Sequence, residues 1–349
     1  MRTNRGGRAV SHTMAPMSEA LSQDPVHVTV EARAHGWRVD HYLSRLFPNY
    51  SRALFQKAIG EGHILLNGLP VKASRRLRVN DRIAVRLPEV PDERLVPEDI
   101  PLDILYEDEA LVVVNKPADM VTHPAKSNFH GTMAAAVQFH FDQLSDVAGQ
   151  LRPGIVHRLD RDTTGVIIVA RDNSVHHRLS GQFERREVTK EYRAIVRGEL
   201  DRDADLIQTH VRVHPKVREK MIVCEPGDNT REAVTRYQVL ERFRGFTYVR
   251  LLPKTGRTHQ LRIHMQHLKH PIIADRLYAG HAQVTLGDIA GDAVAADGEK
   301  PLITRQALHA FRLDIRHPVT DQPMQFEAPL PEDMARMLDA LRTYRNLDR

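Results

Sequence analysis

The stretch Gly154-Ile155-Val156-His157-Arg158-Leu159-Asp160-Arg161-Asp162-Thr163-Thr164-Gly165-Val166-Ile167-Ile168-Val169-Ala170 governs how this chain is read. Val166 to Val169 is an apolar, β-branched run and reads as a buried strand. The segment directly before it is polar and holds Asp160 and Asp162 among Arg158 and Arg161. A core strand fixes such a loop, and the loop presents carboxylates beside guanidiniums. A guanidinium next to a carboxylate favours the charged form, which suits a nucleophile or a base. The spacing alone also fits a structural ion-pair turn.

A second dense segment, Lys254-Thr255-Gly256-Arg257-Thr258-His259-Gln260-Leu261-Arg262-Ile263-His264, follows the apolar run Val249 to Leu252. Gly256 permits a tight turn. Arg257, His259 and Arg262 then stand where they could meet a phosphate or a carboxylate. His264, His267 and His270 recur every three residues and could mark a metal stripe, although such spacing is also common in packing. No glycine-rich nucleotide loop follows a strand, so no nucleotide cofactor is expected.

Further strand-like runs are Leu111 to Val114, Tyr192 to Val196, Thr247 to Leu252 and Phe311 to Ile315. Helical stretches are expected over Thr132 to Phe141 and Val175 to Phe183, and a closing helix from Pro331 through Leu341. The order gives no repeated βαβ unit. The expected class is α+β, with a mixed, mainly antiparallel sheet in a domain over 101–349.

The first part of the chain differs in charge. Between Arg33 and Arg86 there are eleven Lys or Arg and three acids, a net of +8 in a chain whose total is +5. A basic module on a near-neutral body suits a phosphate backbone. Its candidate contacts are Arg38, Arg52, Lys57, Lys72, Arg75 and Arg76. Helical spacing covers Val39, Tyr42, Leu43 and Leu46, ended by Pro48-Asn49. Ser51 caps a second helix through Ile59. Short strands are expected at Ile64 to Leu66, near Val71 and Leu77, and at Ile83 to Leu87. Residues 1–25 read as a disordered tail, either a plain extension or an Arg-rich transit segment. Residues 89–100, with Pro91 and Pro97 among acids, read as a linker. Among 50 basic residues Arg dominates, which fits either phosphate recognition or a G+C-rich genome. One cysteine, Cys224, excludes a disulfide framework and a Cys-rich zinc site and points to a reducing compartment. No run of ~18 apolar residues is present, so no membrane span is expected.

Arg38-Val39-Asp40, Ser51-Arg52 and Gly62-His63-Ile64-Leu65-Leu66-Asn67-Gly68 together resemble the S4 RNA-binding domain over 36–88. The body resembles the RluA/RluD-type RNA pseudouridine synthases. That likeness is carried by His157-Arg158-Leu159-Asp160 with Thr163-Thr164-Gly165, by Asn115-Lys116-Pro117 and by Lys190-Glu191-Tyr192. Gly256-Arg257-Thr258-His259-Gln260-Leu261-Arg262 and Gln306-Ala307-Leu308-His309-Ala310 agree as well.

Phe47-Pro48-Asn49-Tyr50-Ser51-Arg52 and His123-Pro124 point toward the branch acting on large-subunit ribosomal RNA. Two stretches depart from that branch: Ala125-Lys126-Ser127-Asn128, and the Ala/Gly/Asp-rich segment 282–300, expected to be a variable loop. The resemblance implies isomerisation of uridine to pseudouridine in 23S ribosomal RNA, by a cytoplasmic monomer with no cofactor or metal. It implies that Asp160 is catalytic, that Arg262 pairs with it, and that Tyr192 stacks on uracil. It further implies that Arg158 holds a flipped-out nucleotide, with His157, Leu159, Thr164, Lys254, Arg257 and His259 completing the substrate contacts. Two other classes stay open on the residues alone. One is a non-catalytic RNA-binding assembly factor. The other is a metal-dependent phosphodiesterase built on Asp160, Asp162 and the histidines.

Overall fold

The ladder that places the polar loop begins with strand β5 (Asp103–Glu107), which pairs antiparallel with β6 (Leu111–Lys116). Strand β6 in turn pairs with β7 (Thr164–Ala170), the strand expected from the apolar run. All seven residues of β7 are buried, which is why the run does not alternate. The computed structural model describes residues 25–47, 50, 52–86, 95–124, 130–149, 151–291 and 300–347. The chain divides into two compact units, Met1–Glu93 and Arg94–Arg349. Residues 1–24 of the expected tail, the Ser51 cap and the first half of the linker lie outside the described residues, as does 292–299 of the expected variable loop.

In the larger unit the sheet continues from β7 to β15 (Leu308–Arg316), then β8 (Thr189–Arg197), β12 (Phe246–Pro253), β11 (Arg231–Phe243), β9 (Ala204–Val213) and β10 (Met221–Cys224). Strand β16 (Pro323–Glu327) pairs with β15. Only the β7–β15 pair is parallel, so the sheet is mixed and mainly antiparallel. Gly165 makes that pairing possible. Its φ is +111°, and a Cβ there would fall on the Ala310 carbonyl.

Helices α3 (Met133–His140), α4 (Asn173–Glu184), α5 (Gln260–His267) and α7 (Glu332–Tyr344) join this unit. Between α5 and α7 lie α6 (Leu286–Ala290) and the small pair β13 (Val284–Thr285) and β14 (Pro301–Ile303). Sequence reasoning omitted β9, β10 and β11. β9 and β11 interrupt their apolar residues with Asp, Arg, Glu and Gln and so lack a continuous apolar run, whereas β10 is apolar throughout and was passed over.

The smaller unit holds a four-stranded sheet in the order β1 (Val26–Thr29), β4 (Arg82–Val85), β2 (Ile64–Leu66), β3 (Leu69–Pro70). Helices α1 (Val39–Leu46) and α2 (Arg52–Gly60) cover it, with Leu43, Phe55, Ile64 and Ile83 fully buried. Asn67 and Gly68 take positive φ at the hairpin turn. The hairpin strand expected near Val71 forms just before it, as β3, and does not reach Leu77. The segment up to Leu77 runs instead along the start of α1, where Val39 N–H donates to the Arg75 carbonyl and Leu77 N–H to the Trp37 carbonyl. Among the described residues no helix is long and apolar enough to cross a membrane.

Candidate active site

The loop before β7 is pinned from several sides. Lys116, at the end of β6, is fully buried, and its Nζ donates to the carbonyls of Pro117, Met120 and Arg161 at 2.7–2.8 Å. Three acceptors use all three N–H bonds of an ammonium. Burial works against that charge and pulls the group down to about 7. Thr122 Oγ1 donates to the Leu159 carbonyl and accepts from Leu159 N–H. Arg305 Nη1 donates to the Asp162 carbonyl, and Gln306 Nε2 to Thr163 Oγ1. His157 Nε2 accepts from Ile168 N–H, and its ring stacks on Phe183 with centroids 4.8 Å apart. Burial holds His157 down at about 3, so the ring is a neutral acceptor.

Asp160 leaves this rigid loop toward α5. Its Oδ2 accepts from Arg262 Nη1 at 3.0 Å, across 102 residues of sequence. The other edge of the same guanidinium grips Asp275, with Nε to Oδ2 at 2.6 Å and Nη2 to Oδ1 at 2.9 Å. Asp275 is fully buried and also accepts from Leu277 N–H and Tyr278 N–H. Burial opposes the Arg262 charge, and the Asp275 and Asp160 carboxylates more than offset it, holding the guanidinium above its ordinary value. Arg262 therefore stays a fixed cation aimed at Asp160.

His259 caps α5 in the left-handed conformation, with φ +53°. Its Nδ1 meets Tyr278 Oη at 2.9 Å, and its Nε2 lies 3.9 Å from Asp160 Oδ2. Tyr278 Oη already accepts from Met221 N–H. In the tautomer where Nδ1 accepts the Tyr278 hydroxyl hydrogen, Nε2 carries the imidazole proton toward Asp160. Burial lowers the His259 pKa against the pull of Asp160.

Asp160, His259 and Arg262 line a cavity of about 120 Å³, together with Arg158, Leu159, Lys190 and Tyr192. Arg158 is exposed at its edge. Burial, and then the Asp160 charge, push the Tyr192 phenol well above its ordinary value, so it stays protonated at neutral pH. Burial lowers Lys190.

Of the residues expected from sequence, Asp160, Tyr192, Arg262, Arg158, Leu159, Arg257 and His259 converge on the cavity. His157, Thr164 and Lys254 do not line it. Thr164 Oγ1 bonds buried His309, and Lys254 is exposed on the turn after β12. Asp275 and Tyr278 were missed, although Asp275 closes the apolar run Pro271-Ile272-Ile273-Ala274. The histidine stripe has other work: His264 bonds Thr235 and Thr209, and His270 bonds the Arg197 carbonyl.

In the smaller unit, Arg38 and Arg52 both donate to fully buried Asp40, as does Gln56. Desolvation of Asp40 is outweighed by these donors, and its carboxyl lies far below the usual range. Lys57 stands 4.0 Å from Glu61, while Lys72, Arg75 and Arg76 are exposed.

Comparison with known proteins agrees with this division. Residues 110–267 match the RNA pseudouridylate synthase family, and residues 37–83 match the S4 domain. An uncharacterized RNA pseudouridine synthase of Chlorobaculum parvum is 42% identical over 310 residues, covering 88% of this chain and 94% of that protein. The ribosomal large subunit pseudouridine synthase D of Xylella fastidiosa is 42% identical over 93% of this chain and 95% of its own length. That of Escherichia coli K12 is 38% identical over 90% and 93%. Among solved structures, human RNA pseudouridylate synthase domain containing 4 aligns with a TM-score of 0.51 at 26% identity, over 69% of this chain and 93% of that one.

Proposed function

Since the chain belongs to the RNA pseudouridine synthase family and carries an S4 domain, we propose that it isomerises uridines of large-subunit (23S) ribosomal RNA, with Asp160 as the catalytic carboxylate. The observation that carries this reading is the Asp160 carboxylate held at 3.0 Å by a guanidinium that is itself locked on Asp275. The substrate follows the two relatives of known name, each called a ribosomal large subunit pseudouridine synthase.

The reaction breaks the bond between uracil N1 and C1′, turns the base and rejoins it through C5. Asp160 serves as nucleophile or base at the ribose. Arg262 keeps it oriented, and Tyr192 offers its ring to the uracil. A protonated Tyr192 phenol can donate a proton or a hydrogen bond but is a poor base at neutral pH. A uridine in structured RNA leaves its stack at a cost of a few kcal/mol. Exposed Arg158 at the cavity edge is placed to hold the extruded nucleotide. The chemistry consumes nothing, so we propose an enzyme that works without cofactor or metal, and its single cysteine fits the reducing cytoplasm. It acts as a monomer in this reading.

The decisive experiment is single-turnover modification of a ribosomal RNA fragment by Asp160→Asn and, as a control, Asp162→Asn. Asn fills the same space, so folding and RNA binding persist while isomerisation is abolished. Asp162→Asn retains substantial activity. Turnover by Asp160→Asn would refute the assignment, and loss of activity in EDTA restored only by zinc would refute the metal-free reaction.

A further inference from the structure

Trp37 is the only tryptophan of the chain, and it is 39% exposed. A tryptophan ring is normally among the more buried surfaces of a protein. This one stands apart from the apolar cluster of its unit, which gathers Val39, Leu43, Phe55, Ile64 and Ile83. It lies instead against the His41 ring, with centroids 5.1 Å apart and planes within 28°. The backbone under it is fixed. Trp37 N–H donates to the Ala34 carbonyl, the Trp37 carbonyl accepts from Leu77 N–H at 2.8 Å, and Gly36 N–H donates to the Leu77 carbonyl. A flat, partly open aromatic surface thus sits on a rigid mount.

Its surroundings are cationic. The chain that holds Trp37 in place carries Arg75 and Arg76, both exposed, and Arg76 Nη1 donates to the Gly36 carbonyl at 2.9 Å. Arg38, the next residue along, pairs with Arg76 through a backbone β-bridge, while its own guanidinium is held by Asp40. Guanidiniums alone would suit any polyanion, and an exposed ring alone would suit an apolar partner. Both together, with the Arg75-Arg76 segment hydrogen-bonded to the backbone from Gly36 to Val39, suit an unpaired nucleobase whose flanking phosphates reach arginine. Single-stranded RNA is held by stacking on aromatic faces beside cations that track its backbone.

We propose that Trp37, seated on His41, is a stacking platform for an unpaired nucleobase of bound RNA, with Arg75 and Arg76 taking the adjoining phosphates. This rests on the RNA reading of the basic unit and adds a base contact to it. The competing role is purely local: Trp37 precedes the Arg38 cap of α1 and could simply brace the start of that helix.

Because the tryptophan is unique, the intact chain reports on itself. Its intrinsic fluorescence is followed while a short single-stranded RNA is added, and separately while inorganic polyphosphate, a polyanion without bases, is added. RNA quenches the emission and polyphosphate does not. Trp37→Ala weakens RNA binding about tenfold, Trp37→Tyr retains most of the affinity, and the salt slope is the same in both. Circular dichroism checks that each variant is folded. Tight RNA binding without a change in fluorescence overturns the platform. Equal quenching by polyphosphate, or equal loss in the Ala and Tyr variants, does so too. If the unaltered chain binds no RNA even at low salt, the RNA reading of the unit fails, and the platform with it.

Discussion

Arg262 sits between two carboxylates and is nearly buried, so its removal leaves Asp160 and Asp275 facing each other without a cation. Breaking such a buried network costs about 3–5 kcal/mol. Arg262→Met is therefore expected to lower the melting temperature as well as to abolish isomerisation. Asp275→Asn is gentler. It keeps the shape but frees one edge of the guanidinium, and a roughly tenfold or greater fall in single-turnover rate with unchanged RNA affinity is expected, since a loosened catalytic group loses much of its positioning. An unaltered rate would show that Asp275 is only structural. Tyr192→Phe separates ring from hydroxyl. If the phenol moves a proton at the base, the rate falls about 100-fold while RNA binding holds. If stacking is its whole contribution, the rate survives in Phe and is lost in Leu. Asp160 and Arg262 stand out in the sequence because they lie in segments dense in ionisable groups, whereas Tyr192 is singled out only by the family resemblance. Asp275 and Tyr278 are not, because nothing local announces that a carboxylate after an apolar run turns back to an arginine 13 residues earlier.

At the level of elements, the loop that carries Asp160 is held by the end of β6 as much as by β7. Lys116→Met would leave the Met120 and Arg161 carbonyls without their donor inside the protein. Unsatisfied buried acceptors cost about 1–3 kcal/mol each. The expected result is a lower melting temperature together with a reduced rate at saturating RNA, and a variant with wild-type stability would refute the pinning role. Gly165→Ala tests the parallel seam between β7 and β15. A positive φ and a Cβ placed on the Ala310 carbonyl are both penalised, and a loss of about 2–4 kcal/mol is expected by chemical denaturation. The apolar runs of β6, β7, β8, β12 and β15 were readable as strands. β9 and β11 were not, because charged and polar residues interrupt their apolar ones and only their partners decide which face is covered; β10 is apolar throughout and was passed over.

For the whole molecule, several histidines are buried in the neutral state. His264 and His309 are fully buried, and burial holds each down at about 4. The unfolded chain binds these protons near the ordinary histidine value of about 6.5, so it gains protons first as pH falls. Stability is therefore complete above pH ~6.5 and is lost progressively toward pH ~4, with about 2 kcal/mol per such histidine gone by pH ~5. A melting temperature that stays flat from neutrality down through this window would contradict it.

What the sequence determined by itself was chemical and local. The charge of the first unit, the strands whose residues are apolar throughout, and the motifs that bring ionisable groups to strand ends all follow from residue type and spacing. The tertiary structure alone decided which of those groups meet. Asp160 reaches Arg262 across 102 residues, and Arg262 reaches Asp275 on its far side. His157 and Thr164 turn away from the cavity into the loop and sheet. The physical reason is that a hydrogen bond depends on distance and direction in space, which the register of a sheet and the packing of a helix set, whereas sequence spacing fixes direction only within one strand or one helical turn.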